Sequence, residues 1–282
     1  MKNKLLASVG AACLALCASA SVSYAASLLP GETMGLAALA PLPEGIYALD
    51  LESYGGTSSQ RLGVNIPIAV WSTPWTFANT RVEFIGAVPF AHLDGGVNHT
   101  GLITPLYGAI FAHDFGGGLT GGVLIGLRGE DPDAKLAAIT GRSTLQGDFR
   151  GGLYYSHDGW NLAATGWVTS SFGANYANND AAGVDYSITR TFDKFEFGFV
   201  GYTYGDISNG YLSGGRNGQT ELGGMVGYNF GPVIAQALVT HAIYTTVNGT
   251  QAGTNETRGW LRLIVPLWSP TPAVAAPLKA RY

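Results

Sequence analysis

From Glu44 onward the chain alternates. In EGIYALDLESY (44–54), Tyr47, Leu49 and Leu51 fall on one face of an extended strand, with Asp50 and Glu52 on the other. The period of two recurs along the chain. Val82, Phe84 and Val88 oppose Arg81 and Glu83, and Leu119, Val123, Ile125 and Leu127 oppose Thr120 and Arg128. Leu145, Phe149, Leu153 and Tyr155 oppose Gln146, Asp148, Arg150 and Ser156, while Val184, Tyr186 and Ile188 oppose Asp185, Ser187 and Thr189. Leu222, Val226 and Tyr228 oppose Glu221 and Asn229, and Leu261, Leu263, Val265 and Leu267 oppose Arg258 and Arg262. With weaker stretches at 61–71, 102–112, 160–170, 195–204 and 233–245, the pattern predicts twelve strands. An even count is what closed bacterial barrels have.

The breaks between strands carry more information than the strands. Gaps near 55–60, 89–101, 129–143, 171–183, 205–219 and 246–257 are mostly long and rich in Gly, Asn and Asp. Those near 113–118, 157–159, 193–194 and 231–232 are short, and 72–79 is intermediate. A soluble sandwich shares the alternation but has no reason to make every second turn short. A transmembrane barrel does, with tight periplasmic turns facing longer external loops. Aromatic residues mark both ends. Trp71, Trp75, Phe111, Phe115, Trp160, Phe192, Phe195, Phe230 and Trp268 lie near the short turns, and Tyr54, Phe90, Tyr176, Tyr204 and Tyr244 near the long loops. They predict two girdles at the lipid headgroups. The expected fold is all-β: a twelve-stranded antiparallel transmembrane barrel over 44–268 in the bacterial outer membrane.

The N-terminus agrees with export. Lys2 and Lys4, the apolar run Leu5–Leu16 and the small-x-small site Ser23-Tyr24-Ala25 predict a signal peptide over 1–25. Both cysteines, Cys13 and Cys17, lie inside it, so the mature chain is expected to hold no thiol for a disulfide, a zinc site or a nucleophile. Only 12% of residues are charged, the net charge is −4 and there is no basic run; this excludes a nucleic-acid partner. Residues 26–43 precede the first strand and admit two readings, a plug in the lumen or a periplasmic leader broken by Pro30, Pro41 and Pro43. Residues 269–282 form a tail after the last strand.

Four stretches resemble a known family: LPEGIYALDLESY, DKFEFGFVGYTYGDISNG (193–210), ELGGMVGYNFG (221–231) and RGWLRLIVPLW (258–268). They are similar to the outer-membrane proteins named after the phenol meta-degradation pathway, and the likeness runs through most of 42–268. The resemblance implies a twelve-stranded barrel that passes small, often aromatic or hydrophobic compounds, and it brings no catalytic residues. Family chains tend to end on the aromatic of the final strand, whereas here Trp268 is followed by SPTPAVAAPLKARY. Either Trp268 or Tyr282 is then what the barrel-insertion machinery reads.

Alternation directs Asp50, Glu52, Arg81, Glu83, Arg128, Asp148, Arg150, Asp185, Glu221, Arg258 and Arg262 into the lumen. Closure of first strand on last is expected to set Asp50 and Glu52 against Arg258 and Arg262. Such charges either select what passes or simply fill a narrow polar interior. In TLQGDFRGGLYYSHDGWN (144–161), Ser156, His157 and Asn161 have the residue types of a hydrolase. Ser156 and His157 are consecutive, however, and in a strand they point to opposite faces. The stretch reads instead as a strand, an Asp158-Gly159 hairpin turn and the next strand. The expectation is a passive channel for small hydrophobic or aromatic solutes, without enzymatic activity or cofactor, in contact with outer-membrane lipid and lipopolysaccharide. The alternative is a structural or adhesive barrel whose long loops bind a partner.

Overall fold

The computed structural model describes residues 29–56, 60–95, 98–136, 145–172, 180–208, 215–253 and 255–270. The signal-peptide region, Tyr176 and most of the tail lie outside them. Twelve antiparallel strands close into one barrel. They are β1 (Gly45–Gly56), β2 (Gln60–Phe77), β3 (Thr80–Ala87 and Phe90–Gly95) and β4 (His99–Leu102 and Leu106–Gly116). Next come β5 (Leu119–Arg128), β6 (Gln146–His157), β7 (Trp160–Ser171) and β8 (Ala181–Phe192). The last four are β9 (Phe195–Asp206), β10 (Gly218–Asn229), β11 (Ile234–Val247) and β12 (Thr257–Trp268). Each strand pairs with its neighbour in sequence, and β1 pairs with both β2 and β12, so the sheet has no edge. A closed ladder of this kind is one of two ways to satisfy every backbone polar group in lipid.

The turns follow the expected asymmetry. Asp158 (φ 49°) and Gly159 (φ 78°) are both left-handed, the type I′ geometry that matches strand twist. The intermediate gap at 72–79 proves to be strand almost to its end, because a register shift between Ser72 and Thr76 lets β2 run on to an Ala78-Asn79 turn. Several stretches expected as external loop are also strand. Phe90–Gly95 and His99–Leu102 pair with each other, and β11 reaches Val247 before a tight turn returns the chain at Thr250–Gln251. These ends extend past the span that lipid requires, and in water a paired strand still satisfies its backbone.

The outer wall is apolar. Leu153, Ile125, Ile188, Val226 and Leu261 are all at least half exposed, as residues facing lipid must be in an isolated chain. Trp71, Trp75 and Phe84 cluster at one rim and Phe195, Tyr228 and Phe230 at another point of it. Tyr204 departs from the expected girdle: it turns inward and stacks on Trp167 and Tyr202.

The first strand reverses the expected polarity. Leu51 is 1% exposed and packs inward with Leu62, Val64 and Ile66 of β2. Asp50 and Glu52 therefore project from the outer face, not into the lumen, and each receives a hydrogen bond from Asn65 Nδ2 (2.9 and 3.4 Å). Across the closing seam Leu51 stands opposite Arg262, while Asp50 meets Leu263 and Glu52 meets Leu261. The expected pairing of Asp50 and Glu52 with Arg258 and Arg262 is thus incorrect. The cause is what fills the barrel at β1 and β2. An apolar segment lies against them, and burying Leu51 and its neighbours on it outweighs the usual rule of a polar interior.

Candidate functional site

That segment is residues 29–43, which form a chain of tight turns inside the barrel. Backbone bonds from Glu32 to Leu29, Met34 to Gly31, Leu36 to Thr33 and Ala40 to Ala37 hold it (3.0–3.2 Å). Gly31 (φ 90°) and Gly35 (φ 71°) adopt the left-handed conformations these turns need. Met34 and Leu39 are fully buried among wall residues, Met34 in the cluster with Leu51 and Leu39 beside Ile110 and Leu124.

Inward side chains of six strands hold the segment's backbone, Gln236 of β11 among them by donating to the Gly35 carbonyl (3.4 Å). Asp185 of β8 accepts hydrogen bonds from Gly31 N–H (3.0 Å), Thr33 N–H (3.0 Å) and the Thr33 hydroxyl (2.6 Å). Tyr154 of β6 accepts from Leu39 N–H (3.1 Å), and Glu83 of β3 from Leu42 N–H (2.8 Å). Ser72 of β2 donates to the Leu42 carbonyl (3.0 Å). Arg262 of β12 donates to the carbonyls of Met34 and Glu32 (both 2.9 Å) and to Gln236 Oε1 (2.8 Å). The single charged side chain of the segment, Glu32, forms an ion pair with Arg150 of β6.

Most lumen charges predicted from alternation are inward and buried: Glu83, Arg128, Asp148, Arg150, Asp185, Glu221, Arg258 and Arg262. They form separate groups. Asp148 (0% exposed) bridges Arg128 (2.8 Å) and Arg150 (2.9 and 3.0 Å), with Glu32 completing the row. Arg258 donates to Ser53 (3.0 Å) and pairs with Glu256 (2.6 Å), and Glu221 accepts from Thr240. Arg81 stands near the short-turn end and donates to the Thr73 carbonyl. Sequence reading did not single out Glu32, Tyr154 or Gln236. Glu32 was findable as the one charge in an otherwise apolar leader; Tyr154 and Gln236 had no such signal.

The hydrolase types do not assemble. Ser156 is buried and donates to Asn161 Oδ1 (3.0 Å), whereas His157 is exposed and lies 3.3 Å from Asp158. At the opposite mouth, residues 129–136 fold inward. Asp131 accepts from the Thr104 N–H (2.9 Å), and Asp133 pairs with His99 (3.0 Å) while accepting from Lys135 and Leu136 N–H. Leu136 (0% exposed) joins the cluster around Met34.

Between segment and wall lies a cavity of about 1610 Å³. It reaches the short turns at Asn79, Gly117, Lys194 and Asn229, and at its far end Pro89, Ile103 and Thr104. One side is apolar, with Leu49, Val64, Ile66 and Ile68, and the other polar, with Arg150, Ser156, Thr189 and Glu196.

A closed barrel with an apolar exterior, aromatic rims and a charged interior is an outer-membrane β-barrel. The chain belongs to the family described as "Putative MetA-pathway of phenol degradation", which it matches over residues 47–263. Among solved structures it is similar to the COG4313 outer membrane channel from Pseudomonas putida F1, at 12% identity over 84% of this chain and 99% of that one, with a TM-score of 0.62. It is also similar to the NanC porin, at 12% identity over 78% of this chain and 100% of that one, with a TM-score of 0.50. No curated protein matches the chain.

Proposed function

We propose that the protein is a passive outer-membrane channel for small hydrophobic or aromatic compounds, with residues 29–43 as its internal obstruction. The observation that carries this reading is the two-sided cavity. A volume of about 1610 Å³ exceeds what a drug-sized ligand needs, and its apolar side offers such a solute a partner within an otherwise charged barrel. The names of the two similar structures, a channel and a porin, agree with the class.

Solute would meet the inward fold of 129–136 at the outer mouth, pass the segment and leave by the short-turn end. A sideways exit is also supported. Pro67, Pro89 and Pro105 occupy neighbouring strands at one level, each without an N–H to give the ladder. Strands β3 and β4 are interrupted there, and the cavity reaches Pro89 and Ile103.

The test is entry of benzyl alcohol into proteoliposomes whose outer leaflet carries lipopolysaccharide. Faster entry than in protein-free vesicles is expected, with a further rise when residues 29–42 are deleted. Equal rates with and without protein would remove the channel.

A further inference from the structure

Glu32 has the position of a bound ligand. It is a carboxylate on a mostly apolar stretch of chain, paired with the buried Arg150 at the wall of the cavity. Arg150 does not have Asp148 to itself, since Asp148 is shared with Arg128. Arg262, 1% exposed, also meets this residue, but through its backbone: its partners are the Glu32 and Met34 carbonyls and Gln236. No carboxylate of the described residues lies within ion-pair distance of Arg262, and its Nε has no hydrogen-bond partner among them. Two lumen guanidiniums therefore depend on the N-terminal segment for acceptors, and a buried guanidinium left short of acceptors is costly.

We infer that Arg150 is the head-group site for a solute bearing a carboxylate on an apolar body, and that Glu32 is the built-in competitor for that site. The inference rests on the channel reading and adds the chemical class of its solute. Geometry supports each half. Asp148 holds Nε and Nη2 of Arg150, so a solute carboxylate would take Nη1, the donor that Glu32 now occupies. The apolar body would lie against Leu49, Val64 and Ile66 across the same cavity. A neutral aromatic could use that wall but could not replace Glu32. A cation would be repelled by Arg150 and Arg262. Displacing the Glu32 side chain need not free the whole segment, because Asp185 still holds Gly31 and Thr33.

The experiment compares benzoate, benzyl alcohol and benzylamine, which share a ring and differ in charge. Binding to the full protein in detergent is measured by calorimetry, and entry is measured into the same proteoliposomes. Benzoate should bind best, and Glu32→Gln should tighten it about tenfold by removing the competitor, with the other two probes unchanged. In the Glu32→Gln background, Arg150→Lys keeps the charge beside Asp148 but loses the separate Nη1 donor that Glu32 occupied, and should reverse that gain. Heat-modifiable electrophoretic mobility shows that each variant is folded. Equal binding of benzoate and benzyl alcohol, or no effect of Glu32→Gln on benzoate, overturns the inference. Entry of benzyl alcohol without any benzoate preference defeats the carboxylate site and leaves the channel. Benzoate binding without entry of any probe leaves the site and defeats the channel.

Discussion

Thr33 is tied to Asp185 twice, its N–H (3.0 Å) and its hydroxyl (2.6 Å) both reaching Oδ2. The other oxygen takes Gly31 N–H, so one buried carboxylate caps the first turn of the segment that occupies the lumen. Hydrogen bonds to a charged acceptor contribute about 1.5–3 kcal/mol each. Asp185→Ala removes this acceptor without touching the backbone ladder of β8. The expected outcome is a folded barrel whose segment is loosely held. Single-channel recordings should show higher and noisier conductance, and unchanged traces would mean that the remaining contacts are sufficient.

Asp148 makes the opposite prediction, for the wall and not the segment. It bridges Arg128 and Arg150 with no exposed surface of its own. Asp148→Asn leaves both guanidiniums without their shared charge, and breaking a buried pair from one side costs about 3–5 kcal/mol. Urea unfolding in lipid vesicles should show a loss of that order. A loss below about 1 kcal/mol, the range of an exposed pair, would mean that water reaches the bridge.

Asp50 and Glu52 separate two pictures of the first strand. Opposite Leu263 and Leu261 on the outer face, they place carboxylates where lipid expects hydrocarbon. Charges on a lipid-facing wall are destabilising by up to a few kcal/mol, carboxylates less than bases. The double change Asp50→Leu, Glu52→Leu should therefore raise stability in vesicles by about 1–2 kcal/mol. Inward carboxylates paired with Arg258 and Arg262 would give a loss instead.

The same strand shows how far alternation can be read. A period of two divides Tyr47, Leu49 and Leu51 from Asp50 and Glu52 without stating which set faces inward. For β6 the lipid rule chooses correctly, with Phe149 and Leu153 outside and Asp148 and Arg150 inside. For β1 it fails, since the lumen there holds Met34, and an apolar filling draws in an apolar face. Strand number and turn asymmetry were legible because both are local. The contacts of Glu32, Thr33 and Leu39 were not: each joins the leader to a strand far along the chain, and no local pattern encodes which inward side chain a displaced segment will meet.

The outer mouth carries a pH dependence of known sign. Asp133 lies outside the spanning strands, and its carboxyl is held below its ordinary value of 3.8, first by the Leu136 N–H and then by the bond to His99. A depressed carboxyl stabilises the folded arrangement fully above its unfolded value and loses that contribution as pH falls through the lower folded one. The turn at 133–136, which brings Leu136 into the core, should thus stay closed at neutral pH and loosen below about pH 4. A spin label at Lys135→Cys should gain mobility on acidification in the native background. With Asp133→Asn the label should already be mobile at pH 7 and respond little to acid. If both backgrounds respond alike, the loop is released by protonation elsewhere and Asp133 is not its latch.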